Sequence, residues 1–355
     1  MAKVLILGGT GAMGKHLVQI LSKSDNKVTV TSRETRLSTG NISYVQGNAH
    51  DEGFLVPLLN QKFDVIVDFM AYKTIEFEHR YTLFLNSCSH YIFLSSSRVY
   101  AEIKGPIKEN SSRLLDVTTD KEFLSTDEYA LAKARQEDFL IKSGKNNYTI
   151  IRPYITYSEN RLQLGVMEKE SWLYRALHGR TIIFSKDIAN KITTLTYGYN
   201  VAESIAALLN NPLSFGNVYH ITADDFYQWN DILSIYQDVI VKRTGKRPNV
   251  LLLDKSPNLA IPTAQYQVRY DRYYDRYFDN DKIKTFLDTS SFLPMKEGLE
   301  KCLNAFIDNP QYNYIDWKAE AFRDRLSGEY ASLSEMPTFK QKVKYLIYRF
   351  ILGDK

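Results

Sequence analysis

The sequence predicts an α/β protein: a Rossmann-type, doubly wound parallel sheet with a smaller α/β substrate-binding lobe. Three observations carry the prediction. Strand-length apolar runs alternate with amphipathic helical stretches through the first half of the chain, the rhythm of parallel βαβ units. The first run feeds a glycine-rich turn, Gly8-Gly9-Thr10-Gly11-Ala12-Met13-Gly14. After Pro153 the alternation loosens into short strands and helices, as expected of a second, less regular lobe.

The elements follow in order. Residues 3–7 read as a buried strand and 15–22 as the helix that starts after the glycines. Residues 27–31 and 42–45 are the next strands, 52–61 a helix, 65–69 a strand and 75–87 a helix. Strand 91–95 runs directly into Ser96, Ser97 and Arg98, and is followed by a long helix at 128–142 and a sixth strand at 148–152. Later, 181–184 and 217–221 read as strands, 201–209 and 229–241 as helices. Tandem repeats and low-complexity linkers are not evident. The expected organisation is a dinucleotide-binding domain over 1–155 with contributions from about 190–222, an interleaved substrate-binding lobe over 156–310, and a helical extension over 311–355.

Composition narrows the class. A chain of 355 residues with 44% hydrophobic and 24% charged residues builds an ordinary globular core. Its net charge of +4 is small for this length, so no nucleic-acid partner is expected. Cys88 and Cys302 lie far apart, and His79, His90, His178 and His220 show no ligand spacing, so no metal is expected and the setting is read as reduced and cytoplasmic. The apolar run at residues 4–7 is too short for a signal-peptide core, and no stretch reaches the ~18 apolar residues of a membrane span.

The glycine loop carries the first chemistry. Gly8 permits a tight turn, Gly11 lets backbone approach a pyrophosphate, and Gly14 lets the helix pack closely on the strand. Free N–H groups at the helix start, with Thr10, Ala12 and Met13 beside them, then face the negative charge. At the end of the second strand an Asp or Glu would bond the ribose hydroxyls of NAD; Ser32-Arg33 stands there instead. Arg33 can pair with a 2′-phosphate, so NADP(H) is the expected cofactor and NAD the alternative.

Tyr129-Ala130-Leu131-Ala132-Lys133 places a phenol and an ammonium four residues apart, on one helix face. A neighbouring cation favours the phenolate that proton exchange with a sugar oxygen requires. Ser96, at the end of the fifth strand, would hold the same oxygen, and Lys133 would also bond the cofactor ribose.

These pieces together resemble the extended branch of the short-chain dehydrogenase/reductases, the nucleotide-sugar epimerase, dehydratase and reductase family. The resemblance rests on Gly8-x-x-Gly11-x-x-Gly14, Ser95-Ser96-Ser97-Arg98-Val99-Tyr100, Tyr129-x-x-x-Lys133-x-x-x-Glu137 and Arg152-Pro153-x-x-x-Tyr157. Val201-Ala202 and Gly216-Asn217-Val218-Tyr219-His220-Ile221 resemble the family's later helix and strand, so the likeness spans about residues 1–310. It implies Ser96, Tyr129 and Lys133 as the catalytic set. It also implies Asn48 and Ala49 beside adenine, Phe69, Met70 and Ala71 lining the cofactor, and Pro153 near the nicotinamide. The departures matter too. Ser97-Arg98 replaces the Asp-Glu of the 4,6-dehydratases, which disfavours dehydration, and Tyr199-Asn200 replaces a pair of aspartates.

Arg33 makes NADPH-dependent reduction of a keto-sugar on a nucleoside diphosphate, a 4-keto-6-deoxyhexose, the expected activity, serving polysaccharide or glycoconjugate precursors. A nucleotide-sugar 4-epimerase with the same triad is the alternative. A non-catalytic dinucleotide-binding protein is the third reading, against which the intact triad counts. The substrate is expected to be a nucleoside-diphosphate sugar, and a homodimer is compatible with the sequence. Two segments stay open. Residues 266–277, rich in Tyr and Arg, suit either substrate contact through Arg269, Arg272 or Arg276, or a lobe surface or oligomer interface. Phe339, Val343, Leu346, Ile347, Phe350 and Ile351 form an apolar stripe among Lys340, Lys342, Lys344 and Arg349. Such a helix suits peripheral contact with a membrane surface, although packing on the sheet or on a partner subunit is the plainer expectation.

Overall fold

In the computed structural model residues 1–256 and 264–352 are described; 257–263 and 353–355, inside the expected lobe and extension, lie outside the described residues. The chain divides into two compact units. The first comprises Met1–Ser158, Thr194–Asp225 and Tyr277–Met295; the second comprises Glu159–Thr193, Phe226–Arg276 and the residues from Lys296 onward.

The first unit is built on strands β1 (Lys3–Leu7), β2 (Lys27–Ser32), β3 (Ile42–Gln46), β4 (Phe63–Asp68), β5 (Cys88–Leu94) and β6 (Tyr148–Pro153), with Asn217–Ile221 as a seventh. The sheet order is Asn217–Ile221, β6, β5, β4, β1, β2, β3, with every neighbouring pair parallel. The chain therefore winds outward from β1 through β2 and β3, then returns to β4 on the other side of β1. This reversal opens a crevice at the carboxyl ends of β1 and β4, where ligands of doubly wound sheets bind.

Both faces of the sheet are covered, as a parallel sheet requires. Val4 and Ile6 of β1 pack with Leu17, Leu21, Val201 and Ile205 on one face. Leu5 and Leu7 pack with Leu55, Leu58, Phe77 and Phe84 on the other. The period-two alternation of a strand thus feeds two separate cores. β5 begins earlier than the expected residue 91, because the helix Thr74–Ser87 passes straight into it. The Asn147 side-chain amide closes that junction, donating to the carbonyls of Leu85 and Cys88 at 3.0 Å each.

The second unit holds short strand pairs, among them Ile182–Ser185 with Val250–Leu253, and the helices Leu173–Leu177, Trp229–Thr244 and Trp317–Ser327. Gly245 ends Trp229–Thr244 in the left-handed conformation. Within this unit the Tyr/Arg-rich segment is knitted inward. Buried Arg272 pairs with Asp271 and donates to the Gly165 carbonyl at 3.0 Å, and buried Arg276 reaches Asp271 at 3.1 Å. Two of its three arginines are therefore internal ties, and only Arg269 is exposed. Among the described residues, no helix is long and apolar enough to cross a membrane.

Candidate active site

The glycine loop closes β1 onto the helix Gly14–Leu21. Gly8 has φ +70°, a backbone conformation that favours glycine, and its N–H donates to Thr31 Oγ1 at 3.1 Å. A Cβ on Gly14 would stand 2.7 Å from the Gly9 backbone, so only glycine lets the helix start this close. A Cβ on Gly11 would meet only the Gly8 carbonyl, at 3.7 Å, so the loop leaves open room against its backbone. Thr10 and Gly11 are exposed, with Ala12 and Met13 half-buried beside them. The loop has the shape that a pyrophosphate needs.

Around this loop lie the remaining cofactor candidates. Ser32 is buried and its hydroxyl accepts from the Glu34 N–H at 3.2 Å, while Arg33 is exposed. Asn48 is exposed and accepts from the His50 N–H at 3.1 Å; Ala49 is buried. Phe69 and Met70 are half-buried at the end of β4, with Met70 Sδ beside Gly8, and Ala71 is exposed. Pro153 closes β6 and is buried. Two residues on, Ile155 has φ +31°, a strained conformation for a β-branched residue.

The end of β5 sorts its three serines. Ser95 Oγ donates to Glu137 Oε1 at 2.5 Å, and Ser97 Oγ donates to the Arg152 carbonyl at 2.8 Å. Among the described residues the Ser96 hydroxyl, between them, only accepts, from the Arg98 N–H at 3.2 Å, which leaves its own O–H to be donated. Hence one of the three serines is left for chemistry.

The helix Tyr129–Ile141 supplies the other two groups. Glu128 caps it, accepting from the Ala130 N–H at 2.7 Å, and pairs with Arg98. The Arg98 guanidinium lies 5.4 Å from the Tyr129 ring centre. Tyr129 is 42% exposed, whereas Lys133, one turn on, is 3% exposed and donates to the Leu94 carbonyl at 2.7 Å. Burial pulls the Lys133 ammonium down to about 8, against the opposing pull of the Asp68 and Glu137 carboxylates. Lys133 to Leu94 and Arg98 to Glu128 therefore bind the start of this helix to the end of β5.

Several residues of this site gained no role from sequence. Asp68 is fully buried and accepts from Tyr91 Oη at 2.7 Å, Tyr72 Oη at 3.3 Å and the Met70 N–H at 2.9 Å. Burial raises its carboxyl above the usual range. Its signal was a single acid ending the apolar run Val65-Ile66-Val67, which a water-free strand tolerates only with partners. Glu137 grips Arg152 with two bonds, at 2.8 and 2.7 Å. Gly198 would place a Cβ 2.8 Å from the Ala12 carbonyl, so a second glycine clears the dinucleotide loop. Arg98, part of the Ser95–Tyr100 match but given no role by it, pairs with Glu128 and lies against the Tyr129 ring. Burial pushes the Cys88 thiol up to about 12, away from the thiolate form.

A glycine-turned Rossmann sheet with a Ser just past β5 and a Tyr and Lys on the helix Tyr129–Ile141 has the features of the extended short-chain dehydrogenase/reductase class. The chain belongs to the NAD dependent epimerase/dehydratase family, whose profile matches residues 4–221. It is similar to the UDP-glucuronic acid 4-epimerase of Bacillus cereus, solved with UDP-glucuronic acid and NAD: 19% identical, covering 86% of this chain and 99% of that one, TM-score 0.65. It is similar to the enzyme WbmH of Bordetella bronchiseptica, solved with NAD+: 14% identical, covering 87% and 99%, TM-score 0.65. At these identities the likeness shows a shared fold. A curated relative, the chloroplast stem-loop binding protein of 41 kDa b from Arabidopsis thaliana, is 23% identical over 247 residues, 65% of this chain. The match spans 61% of that protein's length.

Proposed function

We propose that this protein is a nucleotide-sugar 4-epimerase acting through Ser96, Tyr129 and Lys133. The observation that carries the reading is the pairing on one helix face of an exposed phenol with a buried ammonium. The shared fold with a UDP-glucuronic acid 4-epimerase favours epimerisation over the net reduction that Arg33 suggested.

The residues present fit a nicotinamide dinucleotide: Gly8 to Gly14 would take its pyrophosphate, Phe69 to Ala71 and Pro153 would flank it, and Lys133 would meet its ribose. When bound, that group supplies the acceptor and donor of hydride at the sugar carbon. Tyr129 would take the proton from the C4 hydroxyl as the ketone forms, and would return it to the same oxygen when the ketone is reduced on its other face. Ser96 donates a hydrogen bond to the same oxygen, and Lys133 and Arg98 supply the cations beside the phenol. Ser97 and Arg98 stand where the 4,6-dehydratases carry an Asp-Glu pair, which disfavours expulsion of a neighbouring hydroxyl.

Arg33 supports a second reading, an NADPH-dependent reductase, because the exposed end of β2 offers a cation where NAD-specific sites offer an acid. One experiment separates them. The purified protein is analysed for retained dinucleotide, then given UDP-glucuronic acid and other UDP-sugars with NAD and, in parallel, a UDP-linked 4-keto sugar with NADPH, with products read by NMR. Interconversion of C4 epimers without net cofactor turnover is expected. Stoichiometric NADPH consumption on a 4-keto sugar, with no epimerisation, would replace this reading with the reductase. Bound dinucleotide with neither reaction would leave the non-catalytic one.

A further inference from the structure

The helix Phe339–Leu346 continues as a π turn over Ile347–Ile351, and one face of this segment is anchored inside the second unit. Tyr345 is buried there; its hydroxyl accepts from the Ala331 N–H and donates to Asp324 Oδ2, both at 2.6 Å. Thr338 and Gln341 form a capping box at the start, and Lys318 lies 4.8 Å from the Tyr348 ring centre. Another face is open to solvent, fully at its ends and partly in its middle. Phe339 is 81% exposed, Phe350 64%, and Val343 and Leu346 about 37% and 38%. Their spacing, 339, 343, 346 and 350, puts them in one stripe. Leaving a contiguous stripe of large apolar groups in water is unfavourable and marks an interaction surface.

The charge of the segment selects the occupant. Residues 339–351 carry Lys340, Lys342, Lys344 and Arg349 and no acid. Arg349 is engaged, donating to the Glu329 carbonyl at 2.8 Å. Among the described residues, none of the three lysines pairs with an acid. A second copy docked stripe to stripe would bring lysines against lysines, with no acid in the segment to face them. A nucleic acid would satisfy the lysines and leave the stripe wet. The headgroup boundary of an anionic bilayer meets both demands, apolar on one side and phosphate-rich on the other.

We propose that residues 339–351 form a docking surface for an anionic lipid bilayer. The segment lies in the interface plane, with Phe339, Val343, Leu346 and Phe350 toward the acyl chains and Lys340, Lys342 and Lys344 at headgroup phosphates. At thirteen residues, with one side already packed on protein, it rests on the membrane and does not enter it. The inference is independent of the chemistry proposed above.

The test is co-sedimentation of the full chain with vesicles of phosphatidylcholine alone or with about one third phosphatidylglycerol. Binding is expected only to the anionic vesicles, and high salt should release it. Changing Lys340, Lys342 and Lys344 to Gln should lower partitioning about a hundredfold, at about fivefold per lysine. Phe339→Ser with Phe350→Ser should also abolish it. Both variants leave Tyr345 and Asp324 in place, so the thermal midpoint should not move. Wild-type protein that stays in solution with anionic vesicles, or a triple-Gln variant that sediments like wild type, overturns the proposal. So does a dimer in sedimentation velocity that the two Phe changes dissociate without any vesicle binding, or capture of a hairpin RNA by the same lysines with vesicles ignored.

Discussion

Each unit buries a cluster of charge, and the two clusters are built to opposite ends. In the second unit Arg175 reaches Glu320 at 3.0 Å and Asp324 at 2.6 Å, while Arg180 reaches Asp324 at 3.2 Å and Glu335 at 2.9 Å. Arg323 adds a bond to Glu320 at 2.7 Å. Each of these three buried arginines has a carboxylate partner. In the first unit the cluster divides. Glu137 is saturated by Arg152, Arg113 and Ser95. Lys133, on the same helix, has no carboxylate within ion-pair reach among the described residues and leans on the Leu94 carbonyl. Asp68 acts on it from beyond contact, its own oxygens held by Tyr91 and Tyr72. A saturated buried pair is scaffold; an under-paired buried cation is available to a ligand.

The largest effect that would break this contrast concerns the group beside that cation. Tyr129→Phe should slow the chemical step by ~100- to 10,000-fold in single-turnover kinetics while dinucleotide affinity holds. Since the ring is exposed, thermal stability should stay level. A variant with near wild-type turnover would remove Tyr129 from the mechanism.

The scaffold clusters should respond in stability. Glu137→Ala and Asp324→Ala each strand buried arginines and should cost about 3–5 kcal/mol in denaturant unfolding. Asp324→Ala should spare turnover per folded molecule, because its cluster serves packing of the extension. Glu137→Ala should lower turnover as well, since Glu137 holds Ser95 beside Ser96. Equal turnover losses for both would erase the distinction between the units.

Arg33→Ala should weaken NADPH by about 1.5–3 kcal/mol relative to NADH, if a 2′-phosphate is its partner. Equal loss for both cofactors in a titration would leave Arg33 a solvated charge and strengthen the NAD-dependent epimerase.

The smallest effect is the sharpest reading of the under-paired lysine. Lys133 loses its proton as pH rises through about 8, so activity that needs the ammonium should be full below that value and fall above it. The Asp68 carboxylate raises Lys133, so Asp68→Asn should move the alkaline limb of the kcat/KM profile to lower pH. A limb that stays in place, with only stability lost, would make Asp68 a packing residue.

Much of this site was legible because its signals are local. The alternation of βαβ units, the glycine turn and Tyr-x-x-x-Lys each depend on residues within a few positions, where period and spacing decide the geometry. Asp68 and Glu137 were less legible for the opposite reason. Tyr91 stands 23 positions from Asp68, and Arg152 15 positions from Glu137, and no local period links them.

The sequence by itself determined the class of fold, the dinucleotide turn and the residues able to move a proton, since each follows from backbone conformation and side-chain chemistry at short range. Tertiary structure alone decided which of Ser95, Ser96 and Ser97 is free to donate, because Glu137 and the Arg152 carbonyl claim the outer two. It turned Arg272 and Arg276 inward onto Asp271, although their composition suited a phosphate clamp equally well. It also left the stripe of Phe339 and Phe350 outside, because Tyr345 takes the anchoring face through Asp324 and Ala331. In each case a polar or aromatic group has several chemically adequate partners, and only the packed chain brings one of them within bonding distance.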